Sequence, residues 1–261
     1  MDYLEDKKLL ELRFSNGMMI LPFVRYKLLC SKNQDNTSSS SRNPVSKPTI
    51  FFRLFSNLIR IRVKKKKLVF FSSTLFNVEV EGEKGIYYNS MDGYYYDLFP
   101  EDSLLIEDAD EEFKWRAKNS YKSMSFIRTY LLFLSFTLSR VFNKIKPIRR
   151  IDFDYIIKNY PELYTIEELG RLDYFHRIYY SLIKWVLKKT QCNLIAVNCG
   201  SYGETYAPLI KAAHDLGIKV IEMQHGAILQ SHLGYHADDF IVNHDEYATY
   251  LPDILYSFGD Y

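Results

Sequence analysis

The last third of the chain alternates short apolar runs with an amphipathic stretch. Residues 193–198 (NLIAVN) form a continuous apolar run, which is typical of a strand buried in a parallel sheet. Residues 206–216 have a helical pattern that ends before a glycine, and residues 218–224 (IKVIEMQ) form the next apolar run. We predict a third strand over residues 238–243 and a fourth from residue 252. This order predicts a βαβ unit, and therefore an α/β fold with a Rossmann-like open parallel sheet and flanking helices.

Two helical patterns precede this unit. In the first, Ile127, Leu131, Leu134, Leu138 and Val141 recur at intervals of three and four residues and define one apolar stripe. Aromatic residues widen the stripe, so the helix is predicted to be largely buried or to lie against a membrane or a partner. Burial in the core is the default prediction.

The second helix is predicted to begin after Thr165. Thr165 and Glu168 have the spacing of a capping box, in which each side chain accepts a hydrogen bond from the other residue's backbone N–H. Lys188 and Lys189 suit the negative C-terminal end of the helix. His176 lies beside the apolar stripe, and we interpret it as a structural residue.

The first 66 residues differ in character from the rest. Residues 31–48 are rich in Ser, Asn and Pro and predict a loop. Residues 60–67 form a basic run before an apolar strand at residues 68–71, which is typical of a solvated loop, with attraction to anionic lipid as the alternative. We therefore predict an N-terminal appendage over residues 1–66 and a Rossmann-like domain over residues 67–261.

Composition narrows the class of protein. Of the 261 residues, 47% are hydrophobic and 25% charged, which excludes disordered and disulfide-scaffold classes. A net charge of +2 gives no basic field of the kind that nucleic-acid binding needs. The 3 cysteines lack metal-ligand spacing and indicate reduced thiols in a cytoplasmic protein. The most apolar stretch, residues 130–138, is too short to span a bilayer.

The loop after the first of the late strands is a candidate ligand site, because ligands bind at the carboxyl ends of strands in such sheets. It consists of Gly200, Ser201, Tyr202 and Gly203 and opens a helix. Free backbone N–H groups there can hold a phosphate or a sugar hydroxyl. Glu204 adds a carboxylate that can act as a base or bind a hydroxyl. A tight turn without a ligand is the alternative.

The loop after the next strand contains three histidines, His225, His232 and His236. A zinc site, hydrogen bonds to neighbouring backbone and a catalytic site are the alternatives. The spacing lacks the helical frame of zinc proteases, so we predict no metal and no cofactor. We favour His225 as a general base, since it follows a strand and precedes Gly226, which allows close approach. The predicted substrate-binding residues of this segment are Gln224, Gly226, His232, Tyr235 and His236.

Aromatic residues make up 16% of the chain, and tyrosines cluster at residues 87–96 around Asp92. A tyrosine combines a flat apolar face with a polar tip, which suits stacking on a sugar ring. Packing at a core edge or an interface is the alternative. We predict that Asp92 helps to hold a sugar hydroxyl.

The segments EMQHG, HLGYH, DDFIVN and LYSFGDY, all between residues 222 and 261, carry a resemblance to a known family. They resemble the first domain of bacterial GT-B glycosyltransferases that build capsular and other surface polysaccharides. His225 and Gly226 also resemble the PHG motif of teichoic-acid glycerophosphotransferases, with Gln224 in place of the proline. The resemblance extends loosely from residue 67 to the end of the chain.

This resemblance implies a function. In the family, the motif's histidine deprotonates the acceptor hydroxyl, a role that falls to His225, with Glu204, Ser201 and His232 around the acceptor. GT-B enzymes bind the nucleotide-sugar on a second Rossmann-like domain and usually need no metal. That donor domain is expected beyond Tyr261 and is apparently absent from the chain. The implied role is therefore the acceptor side of a transferase that moves a sugar onto a growing surface polysaccharide.

Two other hypotheses stay open. One is a non-catalytic subunit at a membrane surface, with another chain supplying the donor domain, and the basic run and the helix over residues 127–141 favour it. The other is a protein similar to sugar-nucleotide epimerases. The predicted partners are a nucleotide-sugar donor and a saccharide acceptor, with an anionic membrane surface and a donor-domain chain as alternatives, and no nucleic acid. The predicted location is the cytoplasm or the inner face of the cell membrane.

Overall fold

The fold is known from a computed structural model, which describes residues 6–31, 63–73, 76–83, 87–108, 124–224, 235, 241 and 243–257. The strands are β1 (Leu68–Ser73), β2 (Asn77–Glu79), β3 (Tyr87–Asn89), β4 (Ser103–Asp108), β5 (Met124–Ser125), β6 (Leu194–Asn198), β7 (Lys219–Met223) and β8 (Ile254–Tyr256). The helices are α1 (Leu21–Ser31), α2 (Gly93–Leu98), α3 (Ile127–Ile145), α4 (Ile151–Asn159), α5 (Ile166–Thr190), α6 (Ala207–His214) and α7 (Asp245–Ala248).

Six strands form one parallel sheet in the order β5-β4-β1-β6-β7-β8, and β2 pairs with β3 as a separate antiparallel hairpin. The chain builds the sheet outward from β1 in both directions, so the strand order reverses between β1 and β6. The predicted α/β class, with an open parallel sheet and flanking helices, is confirmed. Such a reversal is where ligands bind in open α/β sheets.

The two faces of the sheet are covered unequally. Side chains alternate between the faces along each strand. One face, which includes Val69, Ile106 and Val197, packs against α3, α5 and α6 in the largest cluster around the sheet. The other face has a smaller cluster, in which Phe70 and Leu105 pack with Tyr96 of α2. We call these the helix-covered face and the α2 face.

Residues at the start of the chain share a core with its later part. Phe14 and Phe23 are buried in one cluster with Phe153 of α4 and Tyr250. The backbone N–H of Met19 donates to the Tyr250 hydroxyl over 3.1 Å. The boundary at residue 66 stays a prediction, but the described part of the predicted appendage is packed into the molecule.

The long helix α5 begins as the sequence predicts. Thr165 and Glu168 form a capping box in which both reciprocal hydrogen bonds are present. His176 is buried on this helix, with its ring centroid 3.7 Å from that of Phe23, and neither ring nitrogen has a partner among the described residues. Burial lowers the pKa of His176 well below its usual value, so the neutral side chain packs as a structural residue.

Helix α3 follows the predicted stripe only in its first half. Ile127 and Leu131 are buried, whereas Leu134 and Val141 are exposed. The default prediction of core burial is therefore wrong for the second half of this helix. Within the described ranges, no helix combines the length and the apolar character needed to cross a bilayer.

The second half of α3 turns a polar side to the protein. Ser135, Ser139 and Asn143 are buried there, and they succeed one another at intervals of one helical turn. Asn143 faces Gly170 of α5, where a Cβ atom would lie 2.5 Å from the Asn143 Oδ1 atom. Small side chains and this glycine let the two helices approach closely. Phe136 and Phe142 pack against Phe175 and Tyr174 of α5, whereas Leu134 and Val141 stay exposed.

The last predicted strands have different outcomes. Of residues 238–243, only Ile241 and Asn243 are described, and neither lies in a strand, so the strand prediction is wrong at these positions. Ile241 is in a helical conformation and is buried in the cluster shared with the N-terminal segment. The predicted strand after residue 252 is confirmed as β8, which pairs with β7.

Candidate functional site

Polar residues end four neighbouring strands of the sheet. Ser72 of β1 lies opposite Glu107 of β4, and Asn198 ends β6 on the other side of β1. Glu222 is the second-last residue of β7. All four residues are buried. Because parallel strands end at one edge, these groups lie along the edge where the strand order reverses, on both faces of the sheet, and this edge is the candidate site.

Glu222 is the centre of the polar group on the helix-covered face. Its Oε2 atom accepts hydrogen bonds from the backbone N–H of Ser201 over 2.8 Å and from the Ser201 hydroxyl over 2.5 Å. Its Oε1 atom accepts one from the Tyr235 hydroxyl over 2.8 Å. Burial raises the pKa of Glu222, and these donors, with the backbone of Gly200, act in the opposite direction. We call Glu222, Gly200, Ser201 and Tyr235 the Glu222 cluster.

The loop that contains Ser201 uses its backbone N–H groups internally. The Tyr202 and Gly203 N–H groups donate to carbonyl groups of the same turn, and the Glu204 N–H donates to Pro22 of α1 over 3.2 Å. The expectation that these N–H groups are free for a phosphate is therefore wrong. The Glu222 carboxylate accepts a hydrogen bond from the Ser201 N–H, as a bound anion would, and the Pro22 carbonyl of α1 accepts the one from Glu204. A side chain at Gly203, whose φ is +82°, would overlap the Pro22 carbonyl.

Two further tyrosines, Tyr26 and Tyr202, lie beside Tyr235 of the Glu222 cluster. The rings of Tyr26 and Tyr202 are stacked with centroids 5.3 Å apart, and Tyr235 meets Tyr202 edge-on at 5.7 Å. All three are partly exposed. Burial raises the pKa of Tyr202 to about 12, so its hydroxyl stays protonated and able to donate at neutral pH. Flat aromatic faces beside hydroxyl and carboxylate groups suit a polyhydroxylated ring.

Glu204 follows the loop in a strained backbone conformation. Its φ of 47° lies in the left-handed region, which is uncommon for residues other than glycine. The residue is exposed, and partial desolvation raises the pKa of its carboxyl group. Its role as a base stays a prediction.

Asp92 belongs to a second polar group, on the α2 face. Its carboxylate accepts a hydrogen bond from the Asn198 side chain over 2.9 Å and is fully buried. Burial raises the pKa of Asp92 to about 6, against hydrogen bonds from Ser72 and Asn198. The predicted contact of Asp92 with a sugar is therefore corrected, because the side chain points into the protein, where these partners occupy it.

Glu107 completes the group on the α2 face. It accepts a hydrogen bond from the Asn77 side chain over 2.8 Å, and burial raises its pKa to about 7. We call Asp92, Glu107 and their partners Ser72, Asn77 and Asn198 the Asp92–Glu107 cluster. The tyrosines that follow Asp92 differ in position, since Tyr94 and Tyr95 are exposed and Tyr96 is buried.

A buried arginine links the helix-covered face to the same edge. Arg128 forms an ion pair with Asp108, the last residue of β4. Its Nε donates to the Tyr179 hydroxyl over 3.2 Å and its Nη2 to Thr205 over 3.2 Å, while its guanidinium lies 4.3 Å from the Tyr206 ring centroid. The ion pair keeps the pKa of Arg128 well above its usual value, against the effect of burial.

Sequence reasoning missed Glu222, Glu107 and the Arg128–Asp108 pair. A signal was present, since the carboxylates lie at or next to the last position of apolar strands, where a buried charge needs a partner. The partners themselves come from distant segments, so local patterns do not identify them.

The predicted histidine site lies outside the described residues. This applies to His225, Gly226, His232 and His236. Gln224 is described, and it is buried with its backbone N–H donating to Tyr256 of β8 over 3.0 Å. The described residues contain no group of three or more side chains able to hold a metal ion.

Comparisons with family models, with curated proteins and with solved structures gave no match for this chain. The fold class rests on the parallel sheet itself.

Proposed function

We propose that this chain is the acceptor-side domain of a GT-B-type glycosyltransferase, which transfers a sugar from a nucleotide-sugar to a growing surface polysaccharide. The observation that carries the proposal is the Glu222 cluster with its adjoining tyrosines. It lies at the carboxyl ends of β6 and β7, beside the point where the strand order reverses. His225 and Gly226 follow two residues after the end of β7 in the sequence.

The arrangement supports saccharide binding in two ways. Tyr26 and Tyr202 offer stacked aromatic faces, which can pack against the apolar face of a sugar ring. The buried Glu222 holds the Ser201 and Tyr235 hydroxyls in place, and the protonated Tyr202 hydroxyl beside them can donate a hydrogen bond to a sugar hydroxyl.

In the proposed reaction, His225 takes the proton from an acceptor hydroxyl. The resulting oxygen nucleophile bonds to the anomeric carbon of the donor sugar. The bond from that carbon to the diphosphate breaks, and the nucleotide diphosphate leaves with the electron pair. Glu204, with its raised pKa, is the second candidate base at this edge.

The binding step is tested with an array of bacterial surface polysaccharides. We expect the chain to retain a subset of them, and Tyr202→Ala to weaken that binding about tenfold or more, because a stacking face is lost. Tyr94→Ala is the matched control, since Tyr94 is exposed on α2, away from the Glu222 cluster. Equal binding by Tyr202→Ala and wild type would remove these tyrosines from the site.

The catalytic step is tested with His225→Ala in the complete enzyme, that is, together with the donor domain. We expect transfer of the sugar to be lost while thermal unfolding and donor binding stay unchanged. Transfer at the wild-type rate would mean that His225 is not the base.

A second candidate function is a non-catalytic subunit at a membrane surface. The exposed apolar side chains on the second half of α3 favour it. In that case His225→Ala would leave transfer by the complete assembly unchanged, so the same experiment separates the two functions.

A further inference from the structure

Helix α3 presents apolar side chains to solvent, the last of which, Ile145, also lines a groove with Tyr174 and Leu182 of α5. The exposed fractions are 41% for Phe133, 42% for Leu134, 46% for Val141 and 75% for Ile145. We call these four residues the outer face of α3. A helix on the surface of a soluble domain normally has its apolar side against the core, whereas here serine and asparagine side chains take that place. Packing among the described residues therefore does not account for the outer face.

Four cations surround this outer face. Arg140 and Lys144 lie one helical turn apart on α3, and Lys146 and Arg149 follow its C-terminal end. All four are exposed, and no carboxylate of the described residues forms an ion pair with any of them. Exposed cations beside exposed apolar side chains are the pattern of helices that lie on anionic bilayers.

Three of these cations also line a groove between α3 and α5, to which α5 adds Arg171. Its lining includes Arg140, Lys144, Arg149 and Arg171, with Glu167 as its acidic residue. The net charge of the groove lining is therefore positive. A groove of this kind suits the phosphate of a lipid headgroup, because arginine and lysine donate hydrogen bonds to phosphate oxygens.

We propose that the outer face of α3 docks on an anionic lipid surface. In this arrangement Phe133, Leu134, Val141 and Ile145 enter the boundary between headgroups and acyl chains, and the four cations contact lipid phosphates. Ile151, which is 83% exposed at the start of α4, extends the apolar surface. The sequence offered the basic run at residues 60–67 and the helix over residues 127–141 as alternatives for membrane contact, and the outer face lies on the second of these.

Charge distinguishes a lipid surface from a second copy of the chain. A symmetric dimer through the outer face would place the same patch against itself. Arg140 and Lys144 of one copy would then face the same cations of the other, and like charges in an interface oppose association. An anionic surface supplies the opposite charge. The proposal does not depend on the saccharide-binding function, since it uses no residue of the Glu222 cluster.

The test is co-sedimentation of the full chain with vesicles. We expect binding to vesicles of phosphatidylcholine and phosphatidylglycerol, and at least tenfold weaker binding to phosphatidylcholine alone. Each cation near an anionic surface contributes about fivefold to binding, so Arg140→Gln and Lys144→Gln together should weaken it roughly 25-fold. Leu134→Ser with Ile145→Ser should also weaken it, and this loss should persist in high salt, where charge is screened.

Matched controls keep the result specific. Lys219→Gln removes an exposed cation at the start of β7, and Leu98→Ser removes an exposed apolar side chain at the end of α2. Both should bind the mixed vesicles like wild type. Circular dichroism melting of each variant checks that the fold is intact.

Two outcomes would overturn the proposal. One is equal binding of the outer-face variants and the controls to the mixed vesicles. The other is a dimer in sedimentation analysis that Leu134→Ser with Ile145→Ser dissociates, without any vesicle binding by wild type. The second result would assign the outer face to self-association.

Discussion

Two groups of buried carboxyl groups lie at the same edge of the sheet and are stabilised in different ways. On the helix-covered face, Asp108 pairs with the Arg128 guanidinium and Glu222 accepts three hydrogen bonds from Ser201 and Tyr235. On the α2 face, Asp92 and Glu107 have neutral amide and hydroxyl partners.

The difference shows how position determines the charge of a buried carboxyl group. Burial raises the pKa of all four groups, and the partners of each group act in the opposite direction. On the α2 face the pKa of Asp92 is raised to about 6 and that of Glu107 to about 7. On the helix-covered face a full charge, the Arg128 guanidinium, also acts against burial, whereas the described partners on the α2 face are neutral.

The largest effect is expected where the ion pair is broken. Arg128→Met leaves Asp108 without its cation and three hydroxyl groups without a donor, so we expect a loss of about 3–5 kcal/mol in the free energy of unfolding. Arg140→Met on the same helix is the control, because Arg140 is exposed, and should change it by less than about 0.5 kcal/mol. Urea unfolding measures both. Similar values for the two variants would mean that the Arg128–Asp108 pair contributes no stability.

The next effect is a dependence of stability on pH that arises from the α2 face. Because the pKa values of Asp92 and Glu107 are raised in the folded state, the folded protein holds more protons than the unfolded chain between about pH 4 and pH 7. Stability therefore falls as the pH rises through this window. From the size of the shifts we expect a decrease of roughly 4 kcal/mol between pH 5 and pH 8.

Asp92→Asn and Glu107→Gln identify the source of this dependence. Each variant removes one titrating group, so the slope of unfolding free energy against pH should be shallower than in wild type. A slope that both variants leave unchanged would show that the Asp92–Glu107 cluster does not titrate in this range.

The smallest expected effect is a difference in stability between a variant at Glu222 on the helix-covered face and one at Glu107 on the α2 face. Glu222→Gln replaces one acceptor oxygen by an NH₂ group, which cannot accept the bonds that the carboxylate receives, so we expect a loss of about 1–3 kcal/mol at pH 8. Glu107→Gln removes a buried charge at this pH and should be neutral or stabilising. Thermal unfolding of the two variants side by side is the measurement. The reverse order would exchange the roles assigned to the two faces.

Local features of the fold could be predicted from the sequence. The βαβ unit from β6 to β7 and the capping box at Thr165 depend on residues close in the chain, and both are present. The exposure of the apolar side chains on the second half of α3 could not be predicted, because the orientation of this helix depends on Gly170 of α5. An apolar stripe identifies a helix, but it does not specify which partner the stripe will face.

The candidate site shows the same limit. The sequence indicated the loop at Ser201 and the neighbouring Tyr235 as site residues, and the structure brings both to Glu222. The sequence did not indicate Glu222, because the hydrogen bonds that stabilise its carboxylate come from Ser201, in the loop that follows β6. Asp92 was assigned to a ligand for the same reason, since its partner Asn198 is distant in the sequence.

The contact between α1 and the Ser201 loop determines when this part of the molecule can form during folding. Arg25 donates to the Ser201 carbonyl across 176 positions of sequence, and Glu204 donates to Pro22. Contacts of such long separation are slow to form, because a large loop of chain must close first. On the ribosome, the N-terminal segment would emerge long before its partners. The loop that contains Ser201 should therefore reach its final structure late, only after α1 has come into contact with it.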